Sequence, residues 1–495
     1  MESRVMEIGA RKQVFLDRRF IEQSEGIQIN VNPPQERREV LRGDRPWDRG
    51  WIGYLTVLED EGLYKIWYIA TPESTVEEVD SGQAFRLCYA VSEDGIHWEK
   101  PELGLIEYEG GRRNNLIDFP RGNIAGTVFL DPKAPSTSRY KAVTVQNGPE
   151  GRGLYIASSP DGLHWTLHPK QVFPFTPDTQ NQVIYDPERD RYIAYLRGNN
   201  RRPLLVGEQV DYFIRRRVLR VEIKDLFQPW PYTPLEHPMP AGEDAFYPSD
   251  ELPVAFETDE LDPPQTDIYN PTVCRYPWAQ DAWYAFPSVY RHFPEEPWGP
   301  CSNDGLLDIQ VAVSRDGARF YRPDRCAYIP LGIQGTGHAG QMYMGSEVVR
   351  KGDRMFQYYV AFDVSHSGYR GPEPVPIVDM SRVYVAVQWL DRFVGAEAPY
   401  TGGWLITPPL RFAGQGLEMN VDCGATGDAR VALCDESGLP FPGFEPEACD
   451  PVRGNHLRKR ISWQGKADVS SLADRPVRLH IRMRNARLYA FQFVE

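Results

Sequence analysis

Ser92-Glu-Asp94-Gly95-Ile-His-Trp98, Ser159-Pro-Asp161-Gly162-Leu-His-Trp165 and Ser314-Arg-Asp316-Gly317-Ala-Arg-Phe320 are three copies of one seven-residue pattern. Each follows a strand-like run, FRLCYAV, GLYIAS or DIQVAV. Asp-Gly supplies the positive φ of a tight turn, and the aromatic at the end can fold back over the hairpin, so the pattern predicts a strand-turn-strand unit. The first two aspartates are 67 residues apart and the next two 155, about twice the length of one unit, which predicts a unit between them that has lost the motif.

A second pattern gives the count. An apolar run, a polar turn and an aromatic-rich strand recur in TVLEDEGLYKIWY, TVFLDPKAPSTSRYKAV, QVIYDPERDRYIAYL, TVCRYPWAQDAWYAF and EVVRKGDRMFQYYV. Their second residues, Val57, Val128, Val183, Val273 and Val348, lie 71, 55, 90 and 75 positions apart, which suits four-stranded blades with variable loops. In the third and fifth units the second hairpin survives only as FIRRRVLRVEI and RVYVAVQWL. From residue 399 the style changes. In PVRLHIRMR, Val477, Leu479, Ile481 and Met483 alternate with Arg478, His480, Arg482 and Arg484, the period of a strand with one wet face. The expected fold is all-β: a five-bladed β-propeller over 1–398, with 1–40 as a closing segment, followed by a β-sandwich over 399–495. The N-terminal run QVFLDRRFI either closes the last blade or joins the sandwich.

Composition narrows the function. The chain has 495 residues, 42 glycines and 43 prolines, so turns are frequent and strands short. A net charge of −14, with no basic run beyond Arg215-Arg216-Arg217, argues against a nucleic-acid partner. No window resembles a signal peptide or a membrane span, and seven scattered cysteines without a C-x-x-C fit neither a disulfide framework nor a zinc cluster. The expectation is a cytoplasmic protein with no membrane partner, cofactor or metal. Two motifs are set aside. Gly335-Thr-Gly337-His338-Ala-Gly340 matches a dinucleotide fingerprint but precedes a strand-like run, not a helix. His164 and His168 follow a turn without HExxH.

With the three turns, the five hairpins and the appended sandwich, the sequence resembles the five-bladed propeller glycoside hydrolases of families 32, 43 and 68. It looks most like bacterial proteins described as family-32-like. The resemblance covers nearly the whole chain, but the family motifs W-M-N-D-P-N-G, R-D-P, E-C and A-D-P are missing from it. What it implies is a carbohydrate substrate and cleavage of a terminal or short-chain glycoside, possible furanosides included, by carboxylates in the funnel. A non-catalytic carbohydrate-binding propeller and a glycoside phosphorylase or transglycosidase are the alternatives.

In a propeller the first strand of every blade lines the funnel, so polar residues at or just before it face the ligand. Glycoside cleavage needs one carboxylate as nucleophile or base and one carboxylic acid for the leaving oxygen. Asp178 and Asp267 precede Val183 and Val273 by five and six positions, equivalent places in adjacent units. By the resemblance, Asp44 or Asp48 takes the place of the nucleophile or base, Asp178 that of the transition-state-stabilising aspartate, and Asp267 that of the acid, with Glu347 in reserve. Arg42, Trp47, Asp48, Gln180, Asn181, Tyr269, His338, Gln341 and Tyr343 are the expected substrate-binding residues. Trp47, Tyr269 and Tyr343 would either stack on a sugar face or serve as core aromatics. The three turn aspartates are structural.

Overall fold

The computed structural model describes residues 5–120, 126–200, 204–206, 209–211, 215–232, 252–294, 301–368 and 376–495. Phe213 and Ile214 of the run FIRRRVLRVEI therefore lie outside the described residues. Among those described, the single α-helix is the short Val76–Asp80, and everything else regular is strand or 3-10 turn.

Antiparallel sheets follow one another along the chain. The first contains Ile52–Asp60, Leu63–Ala70 and Arg86–Ser92. The second is built from Val128–Leu130, Tyr140–Gly148, Gly151–Ser159 and Thr166–Leu167. Gln182–Asp186, Arg191–Asn200, Arg215–Ile223 and Val254–Phe256 make the third. Next come two three-stranded sheets whose strands interleave in sequence, Thr266–Ile268 with Ser288–Pro294 and Cys301–Ile309, and Val273–Arg275 with Trp283–Ala285 and Ala312–Ser314. After them, Gln341–Met344, Arg354–Phe362 and Ser381–Trp389 are completed by an N-terminal strand, Glu36–Arg42, which pairs with Ser381–Trp389.

Short polar links join the inner strands in a closed circuit. Thr56 Oγ1 accepts from Val128 N at 3.2 Å, and Gly126 bridges Asn181 in parallel. Gln182 exchanges two bonds with the Val273 backbone, at 2.6 and 2.7 Å. Thr272 Oγ1 donates to Met344 O at 3.2 Å, and Ser346 bridges back to Thr56. These polar side chains are buried because their partners are backbone groups that would otherwise be unsatisfied.

The three repeated turns add a second set of links. In the first, Ser92 Oγ accepts from Gly95 N at 2.8 Å and Asp94 Oδ1 accepts from Ile96 N and His97 N, both at 2.8 Å. Gly95, Gly162 and Gly317 take φ values of 77°, 79° and 70°, as an Asp-Gly turn requires. Each glycine carbonyl then accepts a bond from an aromatic side chain of another sheet: Gly95 from Tyr358 Oη at 2.9 Å, Gly162 from Trp67 Nε1 at 2.7 Å and Gly317 from Tyr195 Oη at 2.7 Å. The motif read from the sequence as a local hairpin turn is thus also an inter-sheet latch.

The C-terminal region carries a six-stranded and a four-stranded sheet. Leu417, Met419, Phe491 and Phe493 of the first share a core with Leu405, Val431, Leu479 and Ile481 of the second, while Arg482 and Arg484 face water. The N-terminus is woven into these sheets. Gln13–Val14 pairs with Ala486–Val494, Gln28–Val31 with Val394–Ala398, and Gln23–Glu25 with Gly403–Ile406. Of the two places expected for QVFLDRRFI, it takes the one beside the C-terminal strands. Val394–Ala398, ahead of residue 399, also belongs to the six-stranded sheet.

Candidate active site

A cavity of about 450 Å³ opens among the sheets, walled by Trp51, Tyr54, Phe85, Tyr269, Tyr343 and Phe362. Its polar lining is Asp80, Asp178, Arg216, Asn303, Gln341 and His366. Aromatic faces with a few amide, imidazole and guanidinium groups suit a ligand that is polar at its edges and apolar on its faces.

Asp178 is the one carboxylate of the expected set that lines the cavity. Its side chain is 71% exposed and lies 3.5 Å from Arg197 Nη1, and the same guanidinium also donates to the Asp178 backbone carbonyl. Arg197 itself is buried, its Cζ 5.2 Å from the centre of the Tyr269 ring. Arg216 packs on that ring too, at 5.5 Å, and on Tyr290 at 5.3 Å. The phenol of Tyr269 hydrogen-bonds Tyr54 and sits 3.1 Å from His366 Nε2. Gln341 Oε1 accepts from Tyr343 Oη at 2.5 Å, and its amide donates to Ser365 O at 3.1 Å.

Asp267 is placed differently from the expectation. It is fully buried and does not line the cavity; Arg216 does, with Nη1 2.9 Å from Asp267 Oδ2 and Nη2 3.0 Å from Asn303 Oδ1. His292 Nε2 lies 3.2 Å from the same Asp267 oxygen. Burial pushes the Asp267 carboxyl up, but the Arg216 charge and the His292 bond outweigh it and hold the group at about 2. It stays ionised and attached to its arginine.

Other expected residues lie apart from the cavity lining. Lys100, just past the first Asp-Gly turn, reaches back to Asp44 and Asp48 at 2.6 Å each and to Arg42 O at 2.8 Å. Asp48 is buried and also accepts from Arg45 N and Tyr68 Oη, at 2.8 and 3.0 Å. Trp47 Nε1 donates to Asn115 Oδ1 at 2.7 Å. Gln180 donates to Leu55 O at 2.7 Å and Asn181 to Pro177 O at 2.8 Å, so both fasten backbone. His338 sits edge-on to Tyr384, with ring centres 5.6 Å apart and Nδ1 3.0 Å from Thr336 O. Glu347 belongs to a separate open depression with Val57, Glu59, Trp278 and Arg350, in left-handed backbone at φ 75°.

The structure therefore brings together Asp178, Tyr269, Gln341 and Tyr343 from the expected set. Sequence reasoning missed Trp51, Tyr54, Asp80, Arg216, Asn303 and His366. Trp51 and Tyr54 begin the first inner strand and were open to the same positional argument as Asp178. Arg216 was visible only as the middle of a basic run, and Asn303 and His366 stand in no repeated pattern.

The sequence matches no protein-family model and no curated protein. Solved structures do resemble it. One described as a glycoside hydrolase is 11% identical with a TM-score of 0.45, covering 72% of this chain and 92% of its own. Another comes from work on the GH130 family of mannoside phosphorylases, described as containing glycoside hydrolases that target β-1,2 mannosidic linkages in Candida mannan. It is 16% identical at a TM-score of 0.39, covering 76% and 95%. The GH32 β-fructofuranosidase of Bombyx mori is 10% identical at a TM-score of 0.38, covering 94% and 95%.

Proposed function

We propose that this chain is a glycoside hydrolase acting on a terminal or short-chain glycoside, furanosides included, in the cavity that Asp178 overlooks. The observation that carries the reading is an exposed carboxylate of the expected set, Asp178, among aromatic faces and hydrogen-bond donors, the combination a sugar ring needs for stacking, orientation and bond cleavage. The closed circuit of inner-strand links supports reading the sheets from Glu36–Arg42 to Ser381–Trp389 as five blades around one axis, with the two C-terminal sheets, joined by Val394–Ala398 and the N-terminal strands, as a sandwich. On this reading Asp178 acts at the anomeric carbon, Gln341 and Asn303 orient hydroxyls, and Tyr269 and Tyr343 offer stacking faces.

The second reading is carbohydrate binding without hydrolysis, or phosphorolysis, in which phosphate replaces the activated water. The placement of Asp44, Asp48, Asp267 and Glu347 outside the cavity favours it, because it needs fewer carboxylates. A panel of pyranosides and furanosides, with and without inorganic phosphate, tests both. Release of reducing sugar without phosphate, lost in Asp178→Asn, supports hydrolysis; release only with phosphate supports phosphorolysis; binding without release supports a lectin-like role.

A further inference from the structure

Glycoside hydrolysis moves two protons, one from water and one to the leaving oxygen, yet Asp178 is the only one of the expected carboxylates at the cavity. The cavity lining also holds a phenol and an imidazole in contact, Tyr269 Oη and His366 Nε2, 3.1 Å apart.

The hydrogen bonds around His366 place a proton on Nδ1. Nδ1 lies 3.3 Å from Asn303 O and 3.3 Å from Ser367 Oγ. A carbonyl only accepts, and the Ser367 hydroxyl already donates to that same carbonyl at 2.8 Å, so Nδ1 carries a proton. When the ring is an imidazolium, Nε2 carries one as well and donates it to the Tyr269 oxygen. With Nε2 donating to it, the phenol directs its own proton away from the imidazole, toward the cavity face it shares with Tyr54. Tyr269 is held in that position by Arg197 and Arg216 on its ring and by Tyr343, whose ring centre is 5.2 Å away.

We propose that Tyr269 is the proton donor to the leaving oxygen and that His366 recharges it, a role resting on the hydrolase reading above. Water attacks the anomeric carbon and gives its proton to the Asp178 carboxylate. The bond from that carbon to the leaving oxygen breaks, its electron pair staying on oxygen, which takes the phenolic proton as Tyr269 takes the Nε2 proton. Asp178 then loses a proton to solvent and His366 regains one, so the net change is one water added across the glycosidic bond.

The test compares the wild type with Tyr269→Phe, His366→Gln and Asp80→Asn, Asp80 being the other acid among the described residues of the cavity lining. The substrates are the 2,4-dinitrophenyl glycoside and the natural-type disaccharide of whichever glycone the panel identifies. Tyr269→Phe is expected to lose 10²–10⁴-fold in kcat/KM on the disaccharide and less than about tenfold on the dinitrophenyl glycoside, whose leaving group needs no proton. His366→Gln is expected to erase the alkaline limb of the pH profile on the disaccharide. Equal losses on both substrates for Tyr269→Phe, or a leaving-group-dependent loss in Asp80→Asn instead, would overturn the assignment while leaving the hydrolase reading intact. A wild type that hydrolyses neither substrate would overturn both.

Discussion

Asp267 stands directly behind Arg216, its Oδ2 2.9 Å from the guanidinium and its carboxyl sealed from solvent, so that the arginine and not the acid meets the cavity. A carboxylate that the sequence placed for proton transfer instead holds a cation in register with two tyrosine rings. Asp267→Asn should therefore lower stability by about 3–5 kcal/mol, because it leaves the Arg216 charge buried beside a neutral amide. A drop in melting temperature with kcat largely kept in the folded fraction is the expected outcome; an unchanged melting temperature with abolished turnover would return Asp267 to the chemistry.

Asp178→Asn should behave in the opposite way. The side chain is 71% exposed and the Arg197 bond to the Asp178 backbone survives the change, so unfolding by heat or urea should shift by less than about 0.5 kcal/mol. Turnover on the glycoside found by the panel should fall by a factor of about 10² or more, because an amide neither takes a proton from water nor stabilises developing positive charge. Full retention of activity would remove Asp178 from the site.

Glu347 predicts a pH dependence of stability. Burial raises its carboxyl from an ordinary 4.5 to about 7, so the folded chain binds a proton that the unfolded chain releases. The associated stability is fully present below pH 4.5 and is lost as pH rises through about 7. Melting temperatures measured from pH 5 to 8 should fall in the wild type relative to Glu347→Gln, which carries no titrating group there; parallel curves for the two proteins would count against it.

The turn latches predict a local cost. A Cβ on Gly162 would sit 2.5 Å from the Trp67 ring and demand a left-handed backbone at φ 79°, so Gly162→Ala should destabilise by more than about 1 kcal/mol. Trp67→Phe keeps most of the packing and removes the 2.7 Å donor to the Gly162 carbonyl, which retains the 2.9 Å bond from Trp165 Nε1, at about 0.5–1.5 kcal/mol. Equilibrium urea unfolding of both variants checks this, and a neutral Trp67→Phe would show the latch to be incidental.

Much of the architecture was legible because repetition is a statement about geometry. The Asp-Gly turns recur in one geometry, Val57, Val128, Val183 and Val273 all lie in strands while Val348 falls just before Val349–Lys351, and the alternation from Val477 to Met483 names a buried face that the structure shows packed. The site was less legible because the same positional argument cannot say what stands in front of a residue. Asp178 and Asp267 occupy equivalent places, yet Arg216 from another strand comes between Asp267 and the cavity. Lys100 claims Asp44 and Asp48 from 52 or more residues away, a pairing no local pattern announces. His366 and Asn303 come from segments without a repeat to index them.

The strand Glu36–Arg42 has a bearing on how the protein is made. It leaves the ribosome ahead of its partner, which follows about 340 residues later, with Arg42 set against Arg382. Gln13–Val14 waits longer still, for the stretch around Phe491. At about 5–20 residues per second, the nascent chain carries an unpaired edge for tens of seconds. Such an edge is a template for pairing with another chain. Termination before Ser381–Trp389 therefore leaves Glu36–Arg42 without its partner and the molecule open at that seam.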